Sequence, residues 1–332
     1  MTSTRVSTGL VIGVLASVAF GTSGALAKPL MEAGWSPAAA VTVRAGLAGI
    51  LLVPFALAAL RGKWDAVWRA RWRILGMALI GVAGTQLVYF AAIQRIPVSS
   101  GLLIEYLAPL LLVAGVAVAT RRMPRPIVLI GSVVAIAGLV LIIGPVGGGD
   151  ALGYLLAGVA AVGCALYYVI AARPAHGLPP VAFAAFGLLL GSLSLGIVGL
   201  AGLVPFEIVL TEVSALGGVV PWWMPLSILA ATTAIGYAFS ITASQRLGSR
   251  LMSFVGMLEV VFASLFAWLL LGEGLGVFQL LGGVLILAGI ACVRSEKQPD
   301  PTLGNERLHP RDVDEPPSDR ELGTATEPVA TR

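Results

Sequence analysis

Three ionisable side chains stand inside long apolar stretches of this sequence: Arg44, Glu105 and Glu259. In a membrane-spanning stretch, a charge at the bilayer centre costs ~3 kcal/mol on insertion scales, so each residue needs a physical reason to be there. We predict that one or both of Glu105 and Glu259 bind a substrate or couple its movement to protons. The structural alternative is a neutral carboxyl bonded to a neighbouring helix, or a partner for Arg44. Arg44 stands near one end of its stretch, where it suits a substrate clamp, a structural pair or a cation that reaches the interface.

Polar side chains also follow one helical face in two further apolar stretches. Along 223–245, hydroxyl residues recur at i, i+4, i+7 and i+11: Thr233, Tyr237, Ser240 and Ser244. The internal repeat described below aligns the middle two with Gln86 and Tyr89. Polarity at matching depth favours a lined cavity, with interhelical hydrogen bonds as the alternative. Further candidates for this cavity are Thr22, Ser23 and either Tyr168 or Tyr167.

Signatures of enzymes and of cofactor sites are missing from the sequence. The cysteines, Cys164 and Cys292, lie in apolar runs and are interpreted as small core side chains. The histidines, His176 and His309, have no metal-ligand spacing, and there is no phosphate loop or nucleophile elbow. We therefore predict no cofactor, no metal and no catalytic activity. A membrane enzyme acting on lipid-linked substrates is the hypothesis from a different class, but it needs clustered carboxylates, and the acidic cluster 312–315 lies in a polar tail.

The apolar composition of the chain restricts the classes of protein to which it can belong. Of 332 residues, 58% are hydrophobic and 11% are charged, whereas about 25% are charged in soluble domains. The mean hydropathy is +0.94, which excludes a soluble enzyme, a disordered chain and a secreted disulfide scaffold. A span needs ~20 apolar residues, and it must be helical because lipid offers the backbone no hydrogen-bond partners. The candidate spans are 9–30, 38–60, 73–94, 98–119, 126–144, 152–172, 180–203, 223–245, 250–271 and 275–293.

The first of these windows also resembles a secretory signal peptide. Arg5 precedes the apolar run, and Ala25-Leu26-Ala27 resembles a cleavage site. However, the run that begins at Gly9 and ends at Ala27 is longer than the usual apolar core of about 7–15 residues. We therefore predict a mature helix, with cleavage as the alternative.

Basic residues are concentrated in alternate loops. The opposite loops hold Arg95 as their clear cation, with Lys28 at the end of the first span. By the positive-inside rule, the basic loops and hence both termini are cytoplasmic, and the protein lies in the inner or plasma membrane. The formal net charge is +4, but its cations are held in short loops, so we predict no nucleic-acid partner. The basic loops carry Arg61, Lys63, Arg69, Arg71, Arg73, Arg121, Arg122, Arg125, Arg173, Arg246 and Arg250.

The end of the chain has a different composition. Residues 294–332 carry six prolines, nine acidic residues, six basic residues and no apolar run. Such a segment buries too little apolar surface to fold by itself. We predict a cytoplasmic N-terminus over 1–8, membrane domains over 9–145 and 152–293, and a disordered cytoplasmic tail over 294–332.

The two membrane domains resemble each other. At an offset of 151, Gln94-Arg95 aligns with Gln245-Arg246, and about fifty positions align without a gap. The first and sixth spans match at an offset of 145. Because each half has an odd number of spans, the second must be inverted relative to the first. The predicted fold is an all-α membrane protein of ten transmembrane helices in two inverted five-helix repeats, an architecture of secondary transporters whose site lies near the midplane.

The repeat also relates the two glutamates. Glu105 aligns with Gly256, and Glu259 lies three positions beyond it. Positions i and i+3 share a helix face. The two carboxyls are therefore predicted on equivalent faces of the fourth and ninth spans, about one turn apart in depth and facing one central cavity.

Several segments resemble a known family. The matching segments are 20–23 (FGTS), Arg44, 258–263 (LEVVFA), 269–273 (LLLGE), 279–283 (QLLGG) and 287–289 (LAG). They resemble the two repeats of the EamA family of the drug/metabolite transporter superfamily, and the resemblance covers about 9–293. The segment 104–109 (IEYLAP) is similar to the bacterial branch that includes threonine/homoserine exporters. The resemblance implies a ten-helix carrier driven by a secondary gradient.

Together these observations predict a transporter. We expect export of amino acids or other small metabolites or drugs by alternating access, with the substrate among spans one, three, four, six, eight and nine. Its expected partners are the small-molecule substrate, membrane lipids and the proton as coupling ion, and the protein is expected to be a monomer or homodimer. The alternatives are an importer or exchanger of a polar metabolite and a channel or scaffold without coupled transport. A sugar-phosphate exchanger is disfavoured, because Arg44 alone is placed to meet a phosphate.

Overall fold

Ten membrane spans form the body of the protein. A computed structural model describes residues 3–121, 123–144, 149–173, 177–215, 217–272, 274 and 276–295. Ten helical stretches in this part of the chain are long and apolar enough to cross a membrane, which confirms the predicted all-α membrane fold. The first helix begins at Ser3 and the last ends at Ser295. The predicted tail from residue 296 onward lies outside the described residues.

The helices follow the predicted spans within a few residues, except that the first begins at Ser3, six residues earlier than predicted. The first five spans are built from α1 (Ser3–Glu32), α2 (Pro37–Leu60), α3 (Trp64–Arg69), α4 (Arg71–Gly76), a π-helical segment (Met77–Gly84), α5 (Thr85–Ile93), α6 (Val98–Glu105), α7 (Ala108–Thr120) and α8 (Pro126–Ile143). Of these, α3 is a short helix between the second and third spans. The second five are built from α9 (Ala151–Ala172), α10 (Pro180–Leu200), α11 (Trp223–Leu247), α12 (Ser249–Gly256), α13 (Leu258–Leu271) and α14 (Val277–Ser295).

Capping residues explain where two of these helices begin. The Ser36 hydroxyl accepts a hydrogen bond from the Ala39 N–H at 3.2 Å and caps α2. The Asp150 carboxylate accepts one from the Gly153 N–H at 2.7 Å and caps α9. Each bond satisfies an N–H group that has no partner within the first turn of a helix.

The contact between α8 and α14 shows directly that the repeats are inverted. These helices are the last of each repeat, and they pack closely through glycines. A Cβ added at Gly131 would lie 2.9 Å from the Gly289 carbonyl oxygen, and one at Gly138 would lie 2.5 Å from that of Gly282. The contact partners run in opposite directions along the two chains, so equivalent helices are antiparallel, as the odd number of spans predicts.

Helix pairing in the core has the same symmetry: the main contacts of one repeat have equivalents when the two repeats are exchanged. The first span packs against the eighth and ninth, and the sixth packs against the third and fourth in the same way. The second span packs against the seventh, and the fifth against the tenth. Large side chains such as Met77, Phe183 and Phe254 are fully buried between these layers. The central helices therefore come from both repeats in equal number.

Three spans are interrupted near their middle. The fourth span breaks between α6 and α7 at Tyr106 and Leu107, and the ninth breaks between α12 and α13 at Met257. Because Tyr106 and Met257 are 151 positions apart, the two breaks are equivalent in the repeat. The third span is instead interrupted by its π-helical segment, where the Thr85 hydroxyl donates to the Ile80 carbonyl at 2.7 Å.

A small hairpin covers one end of the bundle. Strands β1 (Glu212–Ala215) and β2 (Gly218–Pro221) pair antiparallel between α10 and α11. The chain before them is fastened to the α1–α2 connection, because the Ser36 N–H donates to the Glu207 carbonyl at 3.0 Å and the Trp35 indole donates to the Val209 carbonyl at 2.6 Å. This hairpin is an addition to the all-α fold that the sequence predicted.

Candidate functional site

A cavity opens where the interrupted helices meet. Its volume is about 250 Å³, slightly below the range of about 300–1,000 Å³ that is typical of small-molecule sites. Its walls come from the six predicted spans and also from the second span, through Arg44. The lining residues are Phe20, Ser23, Arg44, Gly81, Thr85, Gln86, Tyr89, Leu102, Glu105, Tyr106, Cys164, Tyr167, Tyr168, Tyr237 and Glu259.

Aromatic side chains form much of the cavity wall. The chain has six tyrosines, and five of them line this one cavity. The ring centroids of Tyr167 and Tyr168 are 5.1 Å apart, and Tyr237 lies 5.9 Å from Tyr167 and 5.3 Å from Phe20. These pairs meet edge to face, the arrangement that the ring quadrupoles favour. The cavity therefore presents several aromatic faces and edges with polar hydroxyl tips.

Two carboxyl groups and one guanidinium share this cavity. Glu105, Glu259 and Arg44 all line it, and the Tyr106 hydroxyl lies beside the Glu259 carboxyl. Within the described part of the chain, Arg44 forms no ion pair, and its Nε atom has no hydrogen-bond partner. The Ser23 hydroxyl is likewise buried without a partner there. The cavity thus offers hydrogen-bonding groups that the described protein does not itself satisfy.

The helix breaks bring the acidic groups to the cavity. Glu105 is the last residue of α6, directly before the break in the fourth span. Glu259 lies in the first turn of α13, directly after the break in the ninth span. Interrupted helices of this kind place free backbone groups and helix ends near the midplane of transporters. Both glutamates therefore lie where a ligand could meet side chain and helix terminus together.

Four of the polar residues that were predicted to line the cavity are not among its lining residues: Thr22, Thr233, Ser240 and Ser244. The Thr22 hydroxyl donates to the Ala19 carbonyl at 2.7 Å and contacts the Thr232 hydroxyl at 3.0 Å, so it joins α1 to α11. Ser240 is buried and accepts a hydrogen bond from the Tyr167 hydroxyl at 2.9 Å. Their placement corrects the prediction that both face the cavity: Thr22 is turned to a neighbouring helix, and Ser240 lies behind Tyr167 and orients its ring.

The other eight predicted residues line the cavity. They are Ser23, Arg44, Gln86, Tyr89, Glu105, Tyr168, Tyr237 and Glu259.

Several lining residues were missed by sequence reasoning. Thr85 precedes Tyr89 by four positions, and Cys164 precedes Tyr168 by four, so helical spacing carried a signal for both. Cys164, interpreted from sequence as a core side chain, is partly exposed in the cavity. Tyr106 gave no such signal. It would point away from Glu105 in a continuous helix, and the break brings both to the same space.

The described residues contain no cluster suited to a metal ion. No group of three or more His, Cys, Asp or Glu side chains comes together within them. Glu105 and Glu259 share the cavity wall with Arg44. This donor set suits a charged or zwitterionic organic molecule.

Comparisons with known proteins agree with this architecture. The model of the EamA-like transporter family matches residues 7–144 and 151–295. The uncharacterized inner membrane transporter YicL of Salmonella typhimurium is 24% identical over 307 residues, which cover 88% of this chain and 96% of that protein. A protein of known crystal structure has the same fold, with a TM-score of 0.67 and 21% identity over 86% of this chain and 97% of the other. The two family matches correspond to the two five-helix repeats, and the chain is a multi-pass membrane protein that belongs to the EamA-like transporter family.

Proposed function

We propose that the protein is a proton-coupled exporter of amino acids or other small amphiphilic metabolites or drugs. It works by alternating access between its two five-helix repeats, with the substrate in the central cavity. The observation that carries the proposal is the joint presence of Glu105, Glu259 and Arg44 in a cavity lined by five tyrosines. The family supports a transporter, and the resemblance of 104–109 to an exporter branch supports transport outward.

The cavity chemistry suggests how such a substrate is held. An ammonium group suits the carboxyls of Glu105 and Glu259, and aromatic faces attract cations as well. A substrate carboxylate suits Arg44, whose guanidinium can donate two parallel hydrogen bonds. The apolar part of the substrate then packs among Phe20 and the tyrosines. Among the described residues, neither the Arg44 Nε atom nor the Ser23 hydroxyl has a hydrogen-bond partner, which supports this orientation.

Proton coupling is assigned to the same carboxyls. Carboxyl groups within membrane spans serve as proton relays in many transporters. Glu105 and Glu259 are the acidic residues well inside the apolar spans. A carboxyl that binds either a proton or the substrate ammonium, but not both, links the movement of protons to the movement of the substrate.

The proposal is tested with purified protein in vesicles. An efflux screen in cells that overproduce the protein first identifies a substrate, and its transport is then measured with and without an imposed pH gradient. We expect saturable uptake, counterflow, and accumulation that depends on the gradient. Accumulation that persists in the Glu105→Gln/Glu259→Gln variant contradicts a coupling role for either carboxyl. Transport that does not saturate indicates a channel, and a chemically modified ligand indicates an enzyme.

We further propose that both termini lie in the cytoplasm and that the protein resides in the inner membrane. The cations of the 61–73 loop support this orientation through the positive-inside rule, and the name of the related inner membrane transporter supports the location. In a variant with Cys164 and Cys292 replaced by alanine, single cysteines at Lys63 and Glu212 should label from opposite sides with an impermeant reagent. Both positions are exposed. Labelling of both from outside intact cells contradicts the proposed orientation and the inverted repeat.

A further inference from the structure

The short helix α3 carries two opposite stripes that continue into α4. Both stripes have a spacing of four residues, so each follows one helical face. The first consists of Ala66, Ala70 and Ile74, which are 2%, 8% and 3% exposed and belong to the main core. The second begins two residues earlier, on the opposite face. It consists of Trp64, Trp68 and Trp72, which are 52%, 70% and 71% exposed.

An arginine is built into the tryptophan stripe. The guanidinium of Arg71 lies 4.7 Å from the centre of the Trp68 ring and 5.6 Å from that of Trp72. Its Nη1 group donates to the Trp68 carbonyl at 2.9 Å. A guanidinium has five N–H donors, so this bond leaves donors available for an anion. Stacking on two indole rings holds the guanidinium in place while it stays charged.

Further cations surround this stripe. Arg61, Lys63 and Arg69 are exposed, and within the described part of the chain none of them forms an ion pair. The segment 61–73 contains five Lys or Arg residues and one acidic residue, Asp65. The surface is therefore basic around an exposed aromatic face.

The equivalent loop of the other repeat has the opposite character. The segment 201–222 contains Glu207 and Glu212 and no Lys or Arg. It forms the hairpin and is fastened to the α1–α2 connection. Because the repeats are inverted, these two loops lie at opposite faces of the membrane. The basic aromatic surface is thus a feature of one face, and the repeat symmetry does not require it.

We propose that Trp64, Trp68 and Trp72, together with Lys63, Arg69 and Arg71, form a docking surface for the headgroups of anionic phospholipids in the adjacent leaflet. Tryptophan rings are stable at the depth of the headgroups, with their apolar faces toward the acyl chains. Lysine and arginine side chains at the same depth pair with lipid phosphates. The buried Ala66 stripe fixes the helix to the bundle, so the opposite face points away from the protein. This docking surface is independent of the substrate that the cavity transports.

The test uses the full-length protein in vesicles that contain a dibrominated lipid, because bromine quenches tryptophan fluorescence on contact. Brominated phosphatidylglycerol is compared with brominated phosphatidylcholine at equal mole fraction. We expect stronger quenching by the anionic lipid. The Trp64→Phe/Trp68→Phe/Trp72→Phe variant should lose this excess, which assigns it to the stripe. For the Lys63→Gln/Arg69→Gln/Arg71→Gln variant, the ratio of the apparent affinities for the anionic and the zwitterionic lipid should fall about tenfold or more.

A charge-matched control separates this surface from general surface charge. The Arg121→Gln/Arg125→Gln/Arg246→Gln variant removes three exposed cations elsewhere and should keep the preference. A second measurement needs only the wild-type protein: unlabelled phosphatidylglycerol should displace its brominated form better than phosphatidylcholine does. Equal quenching of the wild type by the two lipids, equal displacement, or an equal loss in the control variant overturns the proposal.

Discussion

The fourth and ninth spans have the same interrupted backbone and place their carboxyls differently. Glu105 ends the first half of the fourth span, and the equivalent position of the ninth is Gly256. Glu259 instead begins the second half of the ninth span, where the fourth has Ala108. A Cβ at Gly256 would also collide with the Tyr168 hydroxyl, so a side chain at that position would have to displace Tyr168. The two repeats thus contribute equivalent backbone breaks to the cavity, but each places its carboxyl at a different position.

The largest expected effect follows from this unequal division. Glu105→Gln removes a titratable group but keeps its size and hydrogen bonding. We expect it to abolish accumulation driven by a pH gradient, while counterflow survives because counterflow needs no net proton movement. Glu259→Gln should weaken accumulation less, since the Tyr106 hydroxyl and the charge of Arg44 already interact with the Glu259 carboxyl. The measurement is uptake into vesicles with and without the gradient. Equal loss in both single variants would mean that the two carboxyls act as one unit.

A second contrast concerns regions where the repeats are alike. Gly138 and Gly289 are equivalent, and a Cβ at either would lie 2.5 or 2.6 Å from a backbone oxygen of the facing helix. Overpacking of this kind costs about 1–3 kcal/mol. We therefore expect Gly138→Ala and Gly289→Ala to lower the free energy of unfolding by similar amounts, measured as loss of thermal stability in detergent.

The control for this pair is Gly158→Ala, because a Cβ at Gly158 meets no atom of the described residues within 4 Å. Replacing a helical glycine by alanine without a clash is expected to be neutral or stabilising by up to about 1 kcal/mol. A destabilised control, or strongly unequal effects at positions 138 and 289, would contradict the close symmetric packing of α8 against α14.

The third and eighth spans differ in backbone. The eighth span is one continuous helix, α11, whereas the third contains the π-helical segment. Gly84 permits the wider turn, because a Cβ there would lie 2.5 Å from the Leu79 carbonyl oxygen. The equivalent residue of α11 is Ile235. The π-helical segment sets the angular position of Gln86 and Tyr89, which follow it and line the cavity.

A smaller effect is expected from removing this backbone difference. Gly84→Ala favours an α-helical turn and should rotate Gln86 and Tyr89 relative to the cavity. Apparent substrate affinity in vesicles should fall severalfold, with a smaller loss of thermal stability than for Gly138→Ala because the segment can relax to α-helix. Gly158→Ala again serves as the matched control. Unchanged affinity in Gly84→Ala would show that the π-helical turn does not position those side chains.

The sequence predicted the spans, the inverted repeat and most of the cavity lining for clear physical reasons. The length of an apolar window decides whether it can cross a bilayer, so the spans could be predicted. Glu105 and Glu259 stand out because charged residues are rare within such windows. The contribution of Tyr106 was beyond this reasoning, since a helix break changes which face a residue occupies, whereas Thr85 and Cys164 had a helical spacing that could have indicated them. Arg44 was a candidate site residue, although its span, the second, was not expected among the cavity walls. Thr22 and Ser240 were misplaced because a hydroxyl that bonds to a neighbouring helix has the same sequence pattern as one that faces a ligand.

The smallest expected effect concerns the junction between the repeats. Arg95 donates to Asp150 at 2.9 Å, while the equivalent Arg246 forms no ion pair within the described residues. The Gly153 backbone N–H and the Arg95 guanidinium lower the pKa of Asp150 below its usual value. The ionised form is therefore favoured in the folded protein, so its contribution to stability is present above about pH 4, the ordinary range of an aspartate, and is lost as the pH falls through the lowered pKa.

Asp150→Asn tests this junction, because asparagine also caps helices well and so removes mainly the ion pair. We expect a small fall in Tm at pH 7 that shrinks in high salt, since both side chains of the pair are about half exposed and screened. The fall should also diminish as the pH drops below about 4. Arg246→Gln, at the equivalent position, should leave Tm unchanged. A fall in Tm that is independent of pH and salt would assign the effect of Asp150 to the helix cap alone. The ion pair that Arg95 forms, and that Arg246 does not form within the described residues, would then contribute nothing to stability.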